Sequence, residues 1–177
     1  MMLLLKIVHV LALGLWAGGV TFFSFFTALP LLKEIPEKVQ QPGSWLGPLG
    51  PQNGTRLAGE SLEIIFARYF PYQVVCGLIA LLTSLAWFSA EGWVHKLRVV
   101  FLAVAVTLAA TNWLYLAPQV SQARAQRYVE DPAVKEQAES VFKKLHGYSL
   151  AADMLTLLLV VVALALTVLL PIPVRET

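Results

Sequence analysis

Between Leu145 and Val174 the chain reads LHGYSLAADMLTLLLVVVALALTVLLPIPV, thirty residues in which Asp153 is the only charge. A helix needs about 20 apolar residues to cross the hydrocarbon of a bilayer, so this stretch is long enough alone. Three further stretches are free of Asp, Glu, Lys and Arg: Ile7 to Leu32 (26 residues), Tyr69 to Ala90 (22) and Val99 to Ala123 (25). None alternates with the period of two that a membrane barrel strand requires. Lipid forces each backbone group to bond within its own segment. The sequence therefore predicts an all-α protein, one integral membrane four-helix bundle over residues 1–177, with spans near 4–30, 70–90, 97–118 and 147–170.

Composition agrees. Of the 177 residues, 58% are hydrophobic and 14% charged, against about a quarter charged in an ordinary soluble domain. The net charge is only +2 and no basic run gathers, which leaves nucleic-acid binding without a footing. Cys76 is the one cysteine, so a disulfide framework within the chain and a CxxC metal site are both excluded. The first apolar run continues through Phe22, Phe23, Phe25 and Phe26, and Lys6 lies within it rather than ahead of it. It reads as a retained span, not a cleaved signal.

The connections carry their own signals. Residues 40–55 are rich in turn formers, with Pro42, Gly43, Gly47, Pro48, Gly50, Pro51 and Gly54. The same loop holds Trp45, Leu46 and Leu49, apolar side chains that suggest a surface contacting a protein partner. Arg56 to Phe70 reads as an amphipathic interfacial helix ahead of span two, meeting it at Pro71. A second begins at Asp131-Pro132, a capping Asp followed by Pro at the first helical position, and leads through Phe142 and Leu145 into span four. Loop charges set orientation. One side carries Lys6, Lys96, Arg98 and Arg175; the other carries nine, from Lys33 and Lys38 through Arg124 and Arg127 to Lys144. The nine-charge side is expected to be cytoplasmic, with loops 31–69 and 119–146 inside and both termini outside.

Polar groups at membrane depth are costly and mark candidate sites. Counting 1.5 Å per residue, Ser24, Thr27, Gln73, Asn112, Ser149 and Asp153 fall toward the cytoplasmic face. Asn112 and Asp153 lie at similar depth, and His146, Ser149 and Asp153 share one helical face at i, i+3 and i+7. This cluster reads as a small polar site for a cation, proton or ligand. The alternative is an inter-helical hydrogen-bond layer, with Asp153 neutral or paired to Arg68 or a lysine.

Near the outer face, His9, Trp16 and Phe23 recur every seven residues, and Gly14 and Gly18 form a GxxxG pair that lets another helix approach. His9 with Trp16 suggests a cofactor site, haem b or a metal, with His9 as axial ligand. The alternative is a histidine hydrogen-bonded inside the bundle. His146 lies too far along the bilayer normal to share an iron with His9, so a haem would need another partner such as His95, or only one protein ligand.

Three segments in order resemble the transmembrane protein 205-like family of small four-helix membrane proteins. They are His9-x6-Trp16-x-Gly18 with its aromatic helix end, Leu57-Ala58-Gly59 with Ile65-Phe66-x-Arg68-Tyr69-Phe70, and Phe142-x2-Leu145-His146-x2-Ser149. The resemblance implies the four-helix fold but no agreed activity; some members are linked to vesicle traffic and to resistance to metal-containing drugs. The first helix alone is also similar to copper-resistance D-type proteins and haem-dependent protoporphyrinogen oxidases. No nucleophile stands beside a base, and there is no phosphate loop or HExxH. The leading expectation is thus a non-catalytic accessory or structural subunit of a larger membrane complex, contacting lipid and other membrane subunits or a second copy of itself. A haem- or metal-binding protein and a small proton-coupled carrier are the alternatives.

Overall fold

A computed structural model describes residues 2–44, 46–47, 50–86 and 92–168. Every regular element among them is helical. The chain opens with α1 (Met2–Thr21), passes through a π-helical segment π1 (Phe22–Ala28), and continues as α2 (Leu29–Gln40). After a turn come α3 (Pro51–Leu85) and α4 (Trp93–Thr111). A second π segment, π2 (Asn112–Leu116), joins α4 to α5 (Ala117–Gln126), and α6 (Pro132–Val168) completes the described chain.

The four long apolar rods are 3–40, 53–85, 93–126 and 132–168. Their order around the bundle is α1, α3, α4, α6, each packed on the next and α6 closing back on α1. The buried positions explain why. On α1 they are His9, Ala12, Leu13, Trp16 and Val20; on α4, His95, Arg98, Leu102, Ala105 and Ala109; on α6, Asp153, Thr156, Val160, Ala163 and Thr167. Steps of three and four residues keep one stripe facing the bundle axis. The other faces expose Leu3, Leu4, Leu15, Leu82, Val100, Leu158 and Val168, an apolar exterior suited to lipid tails.

Prolines shape two rods in the same way. π1 ends two residues before Pro30 and π2 ends two residues before Pro118. A proline inside a helix has no N–H to donate and its ring crowds the carbonyl four residues back. A wider π turn relieves that crowding and rotates the face that follows. The spans expected to end near residues 30 and 118 instead run on through their prolines to Gln40 and Gln126. Pro71 likewise sits inside α3 without breaking it. The amphipathic stretches ahead of spans two and four are helical as expected, and they are the opening turns of α3 and α6 themselves.

The rods outreach a bilayer. At 1.5 Å per residue, the 35 residues of α3 and 37 of α6 extend about 52 and 55 Å, against a core of about 30 Å. Exposed aromatics mark where the core fits: Phe22, Phe25, Phe26, Tyr72, Trp113, Tyr115 and Tyr148 at one level, and Trp93 at the other end. Aromatic rings favour both interfaces of a bilayer. Trp93 to Tyr115 rises about 33 Å and Tyr148 to Val168 about 30 Å. The chain is a multi-pass integral membrane protein of four helices. Beyond the aromatic level, α2, α5 and the first halves of α3 and α6 form a second, charged storey.

That storey is stitched by arginine. Buried Arg124 on α5 donates to the Gly59 carbonyl (2.7 Å) and reaches Glu63 (3.4 Å), both on α3. Arg127 pairs with Glu139 on α6, and its guanidinium lies 4.4 Å from the Phe142 ring centre. Gly54 brings α3 against α2, where an added Cβ would stand 3.0 Å from the Pro36 backbone. The loop before α3 turns at Gly43 and Gly50, with φ of 76° and 73°, values that favour glycine. Leu46, one of the three loop residues expected to contact a partner, is buried within the chain. Trp45 and Leu49, the other two residues of that expectation, lie outside the described residues.

Candidate functional site

Asp153 lies on α6 about one and a half turns inside the level of Tyr148, facing α3. Tyr69 donates its hydroxyl to one carboxylate oxygen (2.7 Å) and Gln73 donates its side-chain amide to the other (2.7 Å). The Gln73 carbonyl in turn accepts from the Trp16 indole (3.1 Å). Three helices thus meet in one chain of hydrogen bonds, Trp16 to Gln73 to Asp153 to Tyr69. All four side chains are less than a tenth exposed. Tyr69 and Gln73 are one turn apart on α3, the spacing that lets two side chains converge on one partner.

Packing fixes this geometry. The Trp16 ring fits because position 77 is glycine, where a Cβ would come within 2.6 Å of the indole and 2.7 Å of Val106. The Phe23 ring, carried by π1, lies 4.1 Å from that of Tyr69, and Phe66 stands 5.0 Å from Phe23. Ser24 lies against the Tyr69 hydroxyl. Among the described residues no Lys, Arg or His forms an ion pair with Asp153. Arg68 points elsewhere and donates to its own helix at Ile64 (3.3 Å), so the pairing of Asp153 with Arg68 does not occur.

The expected cluster of Asn112, His146, Ser149 and Asp153 separates into parts. Asn112 on π2 makes a two-way contact with Ser149: its amide donates to the Ser149 backbone carbonyl (3.1 Å), and the Ser149 hydroxyl donates to its side-chain oxygen (2.6 Å). This pair ties π2 to α6 one turn from Asp153, and among the described residues it shares no hydrogen bond with it. His146 joins neither, its ring stacking on Phe142 at 5.3 Å.

His9 and Trp16 separate too. His9 is fully buried at the opposite end, with Nδ1 at 3.0 Å from the Ala80 carbonyl and 2.9 Å from the Thr83 hydroxyl. Its Nε2 lies 3.4 Å from the Thr167 hydroxyl, which is also 3.4 Å from Arg98 Nη1; Arg98 Nη2 is 3.1 Å from His95 Nδ1. A haem or metal ligand needs an open position over one ring nitrogen. Both nitrogens of His9 face protein groups in a closed interior, and a buried guanidinium lies between His9 and His95. These residues do not fit a haem or a metal ion. No group of three His, Cys, Asp or Glu able to hold a metal occurs among the described residues. Gly14 and Gly18 face outward with nothing within 4 Å of an added Cβ. Within the chain the close helix approaches fall instead at Gly19, under Tyr72, and at Gly77.

Two polar layers result, one near each end of the span. Asp153 and Thr167 are 14 residues apart, about 21 Å along α6. Leu13, Leu102, Ala105, Val160 and Ala163, all buried, fill the distance. Asp153 and Gln73 stand out in the sequence as polar residues at membrane depth, whereas Tyr69 lies where the amphipathic stretch meets span two. The four-residue spacing of Tyr69 and Gln73 was the available signal.

A family model described as a domain of unknown function, DUF4149, matches residues 11–129. No curated protein matches the chain. No solved structure matches it.

Proposed function

The chain belongs to the DUF4149 family, and we propose that it serves as a non-catalytic accessory or structural subunit, presenting its charged storey to another membrane protein. The observation that carries this reading is the extra length of the rods. About 20 Å of α3 and α6 lies beyond what a bilayer core can cover, and α2 and α5 are built up around it. A helix pair needs no such extension to stay in lipid. Buried Arg124 and the Arg127–Glu139 pair hold these helices as a rigid platform, and a preformed surface loses little ordering entropy on binding. The outward faces of α2, with Glu34, Glu37 and Lys38, and of α6, with Glu136 and Gln137, are exposed.

The resemblance to the transmembrane protein 205-like family, small four-helix membrane proteins with no agreed activity, is compatible with the same reading. A carrier reading draws less support, because the two polar layers are separated by packed apolar side chains. A photo-crosslinking residue at Glu37, in the full chain in its native membrane, tests the proposal. One stoichiometric protein adduct is expected; adducts with lipid alone, and a chain that purifies without any companion, would overturn it.

A further inference from the structure

We propose that the Asp153 layer is a binding site for a single alkali-metal cation, a property that goes beyond the accessory role and does not depend on it. Three independent features converge there. The first is a carboxylate in a membrane-spanning helix with both oxygens accepting from neutral donors, Tyr69 and Gln73 at 2.7 Å each. Two donors polarise the carboxylate but bring no charge, and each of its oxygens has a second lone pair to offer. A negative charge at this depth is costly unless a positive one is supplied, and no ion pair supplies it among the described residues.

The second feature is Thr156. It sits one turn further along the same buried face of α6, 1% exposed, and its hydroxyl has no hydrogen-bond partner. Threonines in helices ordinarily return that hydroxyl to the carbonyl four residues back. Thr83, Thr107 and Thr167 do so, bonding Ile79, Ala103 and Ala163 at 2.7, 2.9 and 2.8 Å. Thr156, 1% exposed, leaves its oxygen uncommitted within one helical turn of Asp153. An unsatisfied buried hydroxyl is destabilising, a cost that coordination would remove.

The third is charge balance. One carboxylate with hydroxyl oxygens matches one positive charge, whereas calcium and magnesium sites draw on more than one carboxylate or on several retained waters. Oxygen ligands without thiol or imidazole point away from transition metals. Asp153, Thr156 and the Tyr69 oxygen supply the hard, singly charged set that sodium or potassium takes.

The test uses the full chain in detergent at fixed pH and ionic strength, with N-methylglucamine chloride replaced stepwise by sodium chloride or potassium chloride. A ligand that binds only the folded state raises its thermal midpoint in a saturable way. A rise of about 5 °C or more is expected with one of the two cations. Thr156→Val should need roughly tenfold more cation to reach the same rise, the loss of one ligand oxygen, while Thr156→Ser should behave as the parent. Asp153→Asn should lose the response altogether; if that variant does not fold, the two Thr156 variants still decide. A midpoint that ignores both cations would overturn the proposal. So would Thr156→Val responding like the parent. Stabilisation by lowered pH with no alkali-metal response would show that a proton takes the place, and would also overturn it.

Discussion

At Asp153 the interior of the bundle is most exacting, because a carboxylate, an amide, a phenol and an indole must be satisfied together. Removing one member strands the others. Gln73→Leu keeps the approximate volume but leaves the Trp16 N–H and one Asp153 oxygen without their partner. It should lower stability by about 2–4 kcal/mol, since each buried unsatisfied group costs about 1–3, measured as a fall in the thermal midpoint in detergent. Gly77→Ala tests the same site from the packing side. Its methyl would enter the space of the Trp16 ring and of Val106, so a loss of about 1–3 kcal/mol is expected from overpacking. Trp16 fluorescence should shift as the ring moves. An unchanged midpoint and spectrum in Gly77→Ala would mean that the indole is not held as described.

At the scale of the element, the two prolines and the buried arginine decide what the helices do beyond the span. Hydropathy and charge-free length located all four rods, because an uninterrupted apolar run is a strong local signal. The ends were harder to read. Pro30 and Pro118 look like terminators, yet a π turn ahead of each lets the helix pass, and that accommodation depends on neighbouring rods rather than on local sequence. For the same reason His9 and Trp16, one stripe on α1, enter different layers: each partner comes from another helix. The burial of Leu46 is not legible locally, because a loop's burial is set by what lies beneath it. Arg124 was legible only as a charge; its carbonyl partner on Gly59 is a tertiary fact. Arg124→Ala should therefore loosen the charged storey and spare the spans. Hydrogen exchange is expected to rise across residues 53–66 and 132–146, with 73–85 and 153–168 as protected as before. Uniform deprotection would show that the two storeys unfold as one.

For the whole molecule, length is the governing quantity. Rods of 33 to 38 residues run on past the aromatic level of Tyr72, Trp113, Tyr115 and Tyr148, which with Trp93 at the other end of the described bundle brackets about 30 Å. Charged residues outside that bracket then divide unequally between the two faces, which is the bias that orients membrane proteins. Labelling single cysteines with a membrane-impermeant maleimide in sealed vesicles, in a Cys76→Ala background, tests this arrangement most directly. Cysteines at Glu37 and Lys135 are expected to react from one side, those at Lys6 and Lys96 from the other, and those at Val104 and Leu158 from neither. Labelling of residues 37 and 6 from the same side, or ready reaction at 104 and 158, would contradict a four-span bundle with a charged storey on one face.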